Sequence, residues 1–275
     1  MTVTAKTQVI AVIGDPVAQS LSPIMHNGWI ADHGLDAIYV ALPLKSAEAE
    51  AALRALRSLR LHGLNITVPH KTAAARAADR SQGDVANVWR WELDGSVSAF
   101  NTDGEGFLDS LDEGAPGWRT RTSRALVLGA GGAALAIGAA LSPFVDTIHF
   151  ANRTAERAEA AAQSAPNGRS LRWDDLERGF GAADLIVQAT TLSMNDEGFE
   201  WPIANARAGA IVADIVYRPL QTGLLRAARE RGLTVVDVLG MLIHQGVRSF
   251  ELWFAIKPDA SKARARLLAA LGETP

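Results

Sequence analysis

The sequence predicts an α/β fold in two domains, and three observations lead there. Short apolar runs bounded by turn residues alternate with helical segments over roughly the first hundred residues. A flexible polar stretch, Glu113-Gly114-Ala115-Pro116-Gly117, then interrupts the pattern. Beyond it a second α/β series begins, with a glycine-rich loop set directly between an expected strand and an expected helix. The boundary is expected near the helix that Asp103 opens.

The elements follow in order. Val9–Ile13 reads as a short buried strand ended by Gly14 and Pro16. Ser22-Pro23 starts a helix, serine as the cap and proline at the first helical position. Ala37–Leu42 is a second strand. Ser46 is expected to cap the next helix, whose Glu48 and Glu50 come early and whose Arg54, Arg57 and Arg60 come late, the order that complements the helix dipole. Leu61–Ile66 is a third strand, and Pro69 is expected to open the helix that carries Lys71. Asn87–Trp91 and Val97–Phe100 form two strands joined at Leu93-Asp94-Gly95-Ser96. In the second series, strands are expected at Ala125–Leu128, Thr147–Ala151, Leu185–Ala189 and Ile211–Ile215. Met241–Ala255 is helical again, with Ile243, Val247, Phe250 and Phe254 on one face.

Bulk properties narrow the function classes. Of 275 residues, 48% are hydrophobic and 21% charged, the proportions of an ordinary soluble globular protein. A net charge of −3 gives no field for gripping nucleic acid or an anionic membrane, so neither is an expected partner. With no cysteine, disulfides, thiolate chemistry and cysteine-ligated zinc are excluded. The six histidines lack paired ligand spacing, and no metal is expected. The apolar run before Gly14 is too short for a signal peptide, and none approaches the ~18 residues of a membrane span. A cytoplasmic location is therefore expected.

Gly129-Ala130-Gly131-Gly132-Ala133-Ala134 fits the G-x-G-x-x-A form of the dinucleotide fingerprint. The first glycine allows a tight turn, the second lets a pyrophosphate approach the backbone, and Ala134 keeps helix and strand close. The helix N-terminus offers unpaired N–H donors to the phosphates. An NAD site would place Asp or Glu at the end of the next strand. Here that strand ends in Ala151-Asn152-Arg153-Thr154, with Arg157 one turn further. A carboxylate would repel a ribose 2′-phosphate, whereas guanidinium groups match it, so NADP is favoured over NAD. A packing turn followed by a surface helix with solvated arginines is the structural alternative.

Three polar clusters sit just past strands of the first region: Ser20 and Ser22; Asn65, Thr67 and Lys71; and Asn101, Thr102 and Asp103. In an open α/β sheet such positions line the ligand crevice. Hydroxyls, amides, one lysine and one carboxylate suit a small polyhydroxylated acid. Each residue also has a structural explanation. Ser22 serves as a helix cap, Asn65 and Thr67 satisfy turn backbone, and Asp103 caps the helix it opens.

Together these segments resemble the shikimate dehydrogenase family. The resemblance is carried by GDPVAQSLSPIMHN (14–27), GLNITVPHK (63–71), NTDGEGF (101–107), GAGGAA (129–134), NRTAER (152–157) and MLIHQGVRSFELW (241–253), in the family's order and at its spacings. It implies reversible reduction of 3-dehydroshikimate to shikimate with NADPH, on the route to aromatic amino acids. It implies a substrate domain over residues 1–102 plus 239–275, the C-terminal helices returning to it, and a Rossmann NADP-binding domain over 103–238. By resemblance Lys71 and Asp103 are the catalytic pair. Ser20 and Ser22 bind the substrate carboxylate; Asn65, Thr67, Asn87, Asp103 and Gln245 contact its hydroxyls and ring; and Tyr217 lies near it. Gly129, Ala130, Gly131, Gly132 and Ala133 form the pyrophosphate loop, and Asn152, Arg153, Thr154 and Arg157 the adenosine phosphate site. A monomer or homodimer is expected.

Four positions depart from the family pattern: Val88 and Val238 replace a threonine and a glycine, Ala99 replaces a glycine, and Ser193 lies in Gln188-Ala189-Thr190-Thr191-Leu192-Ser193-Met194. They leave open a relative acting on quinate or another ring acid. A non-catalytic NADP-binding protein of the same fold is a further alternative, against which the presence of both Lys71 and Asp103 argues.

Overall fold

A computed structural model describes residues 2–192, 199–216 and 219–273, with the side chain of Val238 also outside the description. The chain divides into two compact units, Met1–Thr102 with Ile243–Pro275 and Asp103–Leu242. No helix among the described residues is long and apolar enough to cross a membrane.

The first unit is built on six strands: β1 (Gln8–Gly14), β2 (Ala37–Pro43), β3 (Gly63–Ile66), β4 (Arg80–Ser81), β5 (Val88–Trp91) and β6 (Val97–Phe100). Their order is β2-β1-β3-β5-β6-β4. β1 lies parallel between β2 and β3, while β3–β5 and β5–β6 are antiparallel. The chain therefore reverses direction across the sheet at β1 and β3, where open α/β sheets hold ligands beyond the strand ends. The helices are α1 (Ser22–Asp32), α2 (Ala49–Leu56) and α3 (Lys71–Ala77). One face of the sheet buries Ala11, Ile13, Leu64, Ile66, Trp89 and Ala99 against Leu53, Ala74 and Ala77.

Three helix starts differ from the sequence expectation. Leu21, not Ser22, holds the cap position of α1, without a side-chain cap bond. The Ser22 hydroxyl is engaged by Tyr39 instead. Ser46 opens a short 3-10 turn, and α2 begins only at Ala49. Pro69 precedes α3: the Thr67 carbonyl accepts from the His70 N–H at 3.0 Å, closing a turn around Val68-Pro69 before Lys71 starts the helix.

The second unit contains α4 (Asp103–Gly114), α5 (Trp118–Arg121), β7 (Arg124–Leu128), α6 (Gly132–Leu141), β8 (Thr147–Ala151), α7 (Ala155–Gln163), β9 (Gly168–Leu171), α8 (Leu176–Ala182), β10 (Leu185–Gln188), β11 (Ile211–Asp214), α9 (Gly223–Glu230) and β12 (Thr234–Val236). The strand order is β12-β11-β10-β7-β8-β9, every neighbour parallel. That is the doubly wound dinucleotide-binding order with β7 as its first strand. Near-continuous apolar strands such as Ala125-Leu126-Val127-Leu128 fit a sheet covered on both faces. One face packs Phe107, Leu111, Ile137 and Leu141, and the other Leu176, Phe180, Leu224 and Leu225. β9 and β12 were not expected; each is short, and only Leu171 in β9 and Val236 in β12 are buried.

Helix α10 (Val238–Phe254) carries the chain back into the first unit, and α11 (Ala260–Leu271) follows. Asp259 caps α11 by accepting from the Ser261 and Lys262 N–H groups. In the first unit, Phe250 and Trp253 join Trp29, His26 and Tyr39 in an aromatic cluster.

Candidate active site

Asn65 in β3, Asn87 before β5 and Thr102 past β6 of the first unit are joined by one buried hydrogen-bond network, which Ser22, past β1, reaches through Tyr39. Tyr39, on β2, is its hub. Its hydroxyl donates to Asn65 Oδ1 at 2.7 Å and is bonded to the Ser22 side chain. Burial pushes the phenol well above its ordinary pKa, with the Ser22 bond opposing in part, so Tyr39 stays a neutral donor. Asn65 Nδ2 donates to the Asn87 carbonyl (3.2 Å) and to Ser249 Oγ (3.1 Å). Asn87 Oδ1 accepts from the Thr102 N–H (2.8 Å), and Asn87 Nδ2 donates to Thr102 Oγ1 (3.0 Å) and weakly to Gln245 Oε1 (3.4 Å). The Gln245 carbonyl accepts from both Thr102 Oγ1 and Ser249 Oγ. Ser22, Asn65, Asn87 and Gln245 are thus brought together from four separate stretches of chain.

Ser20 joins through its hydroxyl, which accepts from the Ser22 N–H at 3.3 Å. Thr67 follows β3, its N–H donating to the Ile13 carbonyl. Lys71 is half-buried at the head of α3, and its carbonyl accepts from Ala86 N–H, which ties it to the residue before Asn87. The preceding His70 is buried, with Nε2 2.7 Å from the Leu44 carbonyl. Asp103 is buried at the first position of α4, directly after Thr102. Tyr217 and Ser193 lie outside the described residues.

Sequence reasoning missed Tyr39 and Ser249. Tyr39 interrupts an otherwise apolar strand with a polar atom, and Ser249 stands one helical turn after Gln245; these were the only signals available. Two departures from the family pattern are also placed. Ala99 pairs with Trp89 across β5–β6 and lies in the hydrophobic core, while Val88 is fully buried beside Asn65 in the β3–β5 register.

In the second unit, the turn from β7 into α6 is shaped for a phosphate. Gly129 has φ +122°, and a side chain there would strike the Ala189 carbonyl at 2.9 Å. At Gly131 the reverse holds: a Cβ would meet nothing within 4 Å, which leaves the backbone bare at the helix start. Gly131 occupies the cap position of α6 with no side-chain cap bond, so the first N–H groups of the helix are not capped by a side chain. These features fit a dinucleotide pyrophosphate. Past β8, Asn152 Nδ2 donates to the Thr154 carbonyl (3.1 Å). Arg153, Thr154 and Arg157 are exposed, and neither arginine forms an ion pair among the described residues.

Parallel strands in this order around a bare glycine turn define a chain with a dinucleotide-binding α/β unit. Comparison with known proteins places it further. The model for the shikimate dehydrogenase substrate binding domain matches residues 12–88, and that for the shikimate 5'-dehydrogenase C-terminal domain matches residues 239–268. A shikimate dehydrogenase (NADP(+)) of Rhodospirillum rubrum is 41% identical over 280 residues, covering 97% of this chain and 99% of the relative. The crystal structure of shikimate 5-dehydrogenase from Thermus thermophilus, in complex with NADP(H) and shikimate, superposes with a TM-score of 0.86 at 32% identity, over 96% of this chain and 99% of that one. A quinate dehydrogenase from Corynebacterium glutamicum in complex with NAD gives 0.87 at 27% identity, over 96% and 99%. The chain belongs to the shikimate dehydrogenase family.

Proposed function

We propose that this protein is an NADP-dependent shikimate dehydrogenase, reducing 3-dehydroshikimate with NADPH to shikimate and running the reverse reaction with NADP. The observation that carries this reading is identity of about two residues in five, along nearly the whole length, to relatives named for that activity. In this reading the first unit binds the small-molecule substrate and the second the nucleotide. The enzyme works in the cytoplasm as a monomer or homodimer.

The residues divide the work by their chemistry. Ser20 and Ser22 receive the substrate carboxylate, and Asn65, Thr67, Asn87, Gln245 and Tyr217 hold its hydroxyls and ring. Gly129, Ala130, Gly131, Gly132 and Ala133 seat the pyrophosphate on the N-terminus of α6. Asn152, Arg153, Thr154 and Arg157 receive the adenosine phosphate. Bound NADPH supplies the hydride for the ketone carbon. As negative charge develops on the ketone oxygen, Lys71 hydrogen-bonds it and delivers a proton from Nζ. The Asp103 carboxylate orients that ammonium as a hydrogen-bond acceptor. One ketone, one hydride and one proton give the alcohol.

The test is a panel of initial rates: NADPH with 3-dehydroshikimate, and NADP or NAD with shikimate or quinate, followed at the nicotinamide absorbance band. The proposal expects the highest kcat/KM with NADP and shikimate. A higher value with quinate would move the protein to a neighbouring substrate, and no turnover with any pair would leave a nucleotide-binding protein without this activity.

A further inference from the structure

Asn65 is fixed by its neighbours with unusual completeness. A carboxamide can make four hydrogen bonds, two from its nitrogen and two to its oxygen. The Asn87 carbonyl, 3.2 Å away, carries no proton, so the amide NH2 end must face it; this orients the group independently of its other bonds. Tyr39 then must donate to Oδ1, which it approaches at 2.7 Å. Ser249 directs its own proton to the Gln245 carbonyl one turn back in α10 (2.9 Å), so its oxygen is the acceptor for the second Nδ2 proton (3.1 Å). Both Nδ2 protons are thereby committed inside the protein. What Asn65 retains is one lone pair on Oδ1, and the residue keeps 6% exposure.

We infer that Ser249 is a positioning residue, which together with Tyr39 locks the Asn65 carboxamide so that it offers the substrate an oxygen acceptor and no donor. The inference rests on the proposed contact between Asn65 and the substrate. A substrate hydroxyl meeting Asn65 must donate its proton, and a carbonyl or carboxylate oxygen at that place finds no partner. Ser249 has no exposed surface, so it acts only through Asn65 and the helix backbone. Tyr39 cannot turn away readily, because its ring lies flat against His26 at 4.4 Å. Without the Ser249 hydroxyl, one Nδ2 proton loses its acceptor, and the carboxamide, its ends still assigned by the Asn87 carbonyl, is free to swing out of register with the substrate.

The experiment compares steady-state kinetics with shikimate and NADP for wild type, Ser249→Ala, Asn65→Ala and the double variant. Ser249→Ala should raise the shikimate KM about five-fold, the factor for one neutral hydrogen bond. The KM for NADP should stay unchanged and kcat should stay within about two-fold, a split that general loosening of the helix would not produce. In the Asn65→Ala background the Ser249 change should add nothing. An unchanged shikimate KM in Ser249→Ala, or the same effect with and without Asn65, overturns the inference. If Asn65→Ala alone leaves the shikimate KM unmoved, the proposed substrate contact fails, and the inference with it. Should Ser249→Ala not fold, Ser249→Cys carries the same comparison, since a thiol is close in shape and a much weaker acceptor.

Discussion

Replacing His26 should flatten the pH dependence of stability. His26 is almost wholly buried, stacked on Tyr39 and edge-on to Trp29 at 5.2 Å, and neither ring nitrogen has a hydrogen-bond partner among the described residues. Burial pushes its pKa down to about 3. Unfolded, the same ring titrates near 6.5, so between these values the unfolded chain binds a proton that the folded chain does not. The stability contribution is therefore fully present above about pH 6.5 and is lost as the pH falls toward the folded value. At a pH of about 5 the loss is about 2 kcal/mol, from roughly 1.5 pH units at about 1.4 kcal/mol each. Urea unfolding of wild type and His26→Phe at about pH 7.5 and about pH 5 measures it. Wild type should lose about 2 kcal/mol more than the variant over that interval. Burial also lowers the pKa values of His62 and His149, but both residues are present in each protein and cancel in the difference. Equal losses in the two proteins would refute the buried neutral imidazole.

Two further predictions concern the nucleotide. Gly131→Val places its Cβ where nothing stands within 4 Å, so thermal unfolding should shift little while NADP affinity, read by fluorescence titration, falls at least about ten-fold. Arg153→Ala should raise the KM for NADP about ten-fold or more and leave that for NAD nearly unchanged, as expected for loss of a charge-assisted hydrogen bond to a phosphate.

The sequence revealed most where one short segment carries the whole physical requirement. The turn from β7 into α6 needs its glycines locally, and Gly129-Ala130-Gly131 announced both the left-handed backbone and the bare approach. The apolar parallel strands of the second unit were legible for a similar reason, each being buried on both faces. Local reasoning failed where a distant partner decides. Ser22 beside Pro23 reads as a helix cap, yet Tyr39 claims its hydroxyl and Leu21 takes the cap position. Ser249 reads as one more helical serine, and only the fold brings it to Asn65, 184 residues away. The short edge strands β9 and β12 escaped because so few of their residues are buried.

The central claim is that Lys71 supplies the proton for ketone reduction, and steady-state kinetics of Lys71→Ala with 3-dehydroshikimate and NADPH test it most directly. Loss of a positioned acid should lower kcat by a factor on the order of 100 or more, with the substrate KM changed only a few-fold. An unchanged kcat with a raised KM would show Lys71 to be a binding residue and contradict the account.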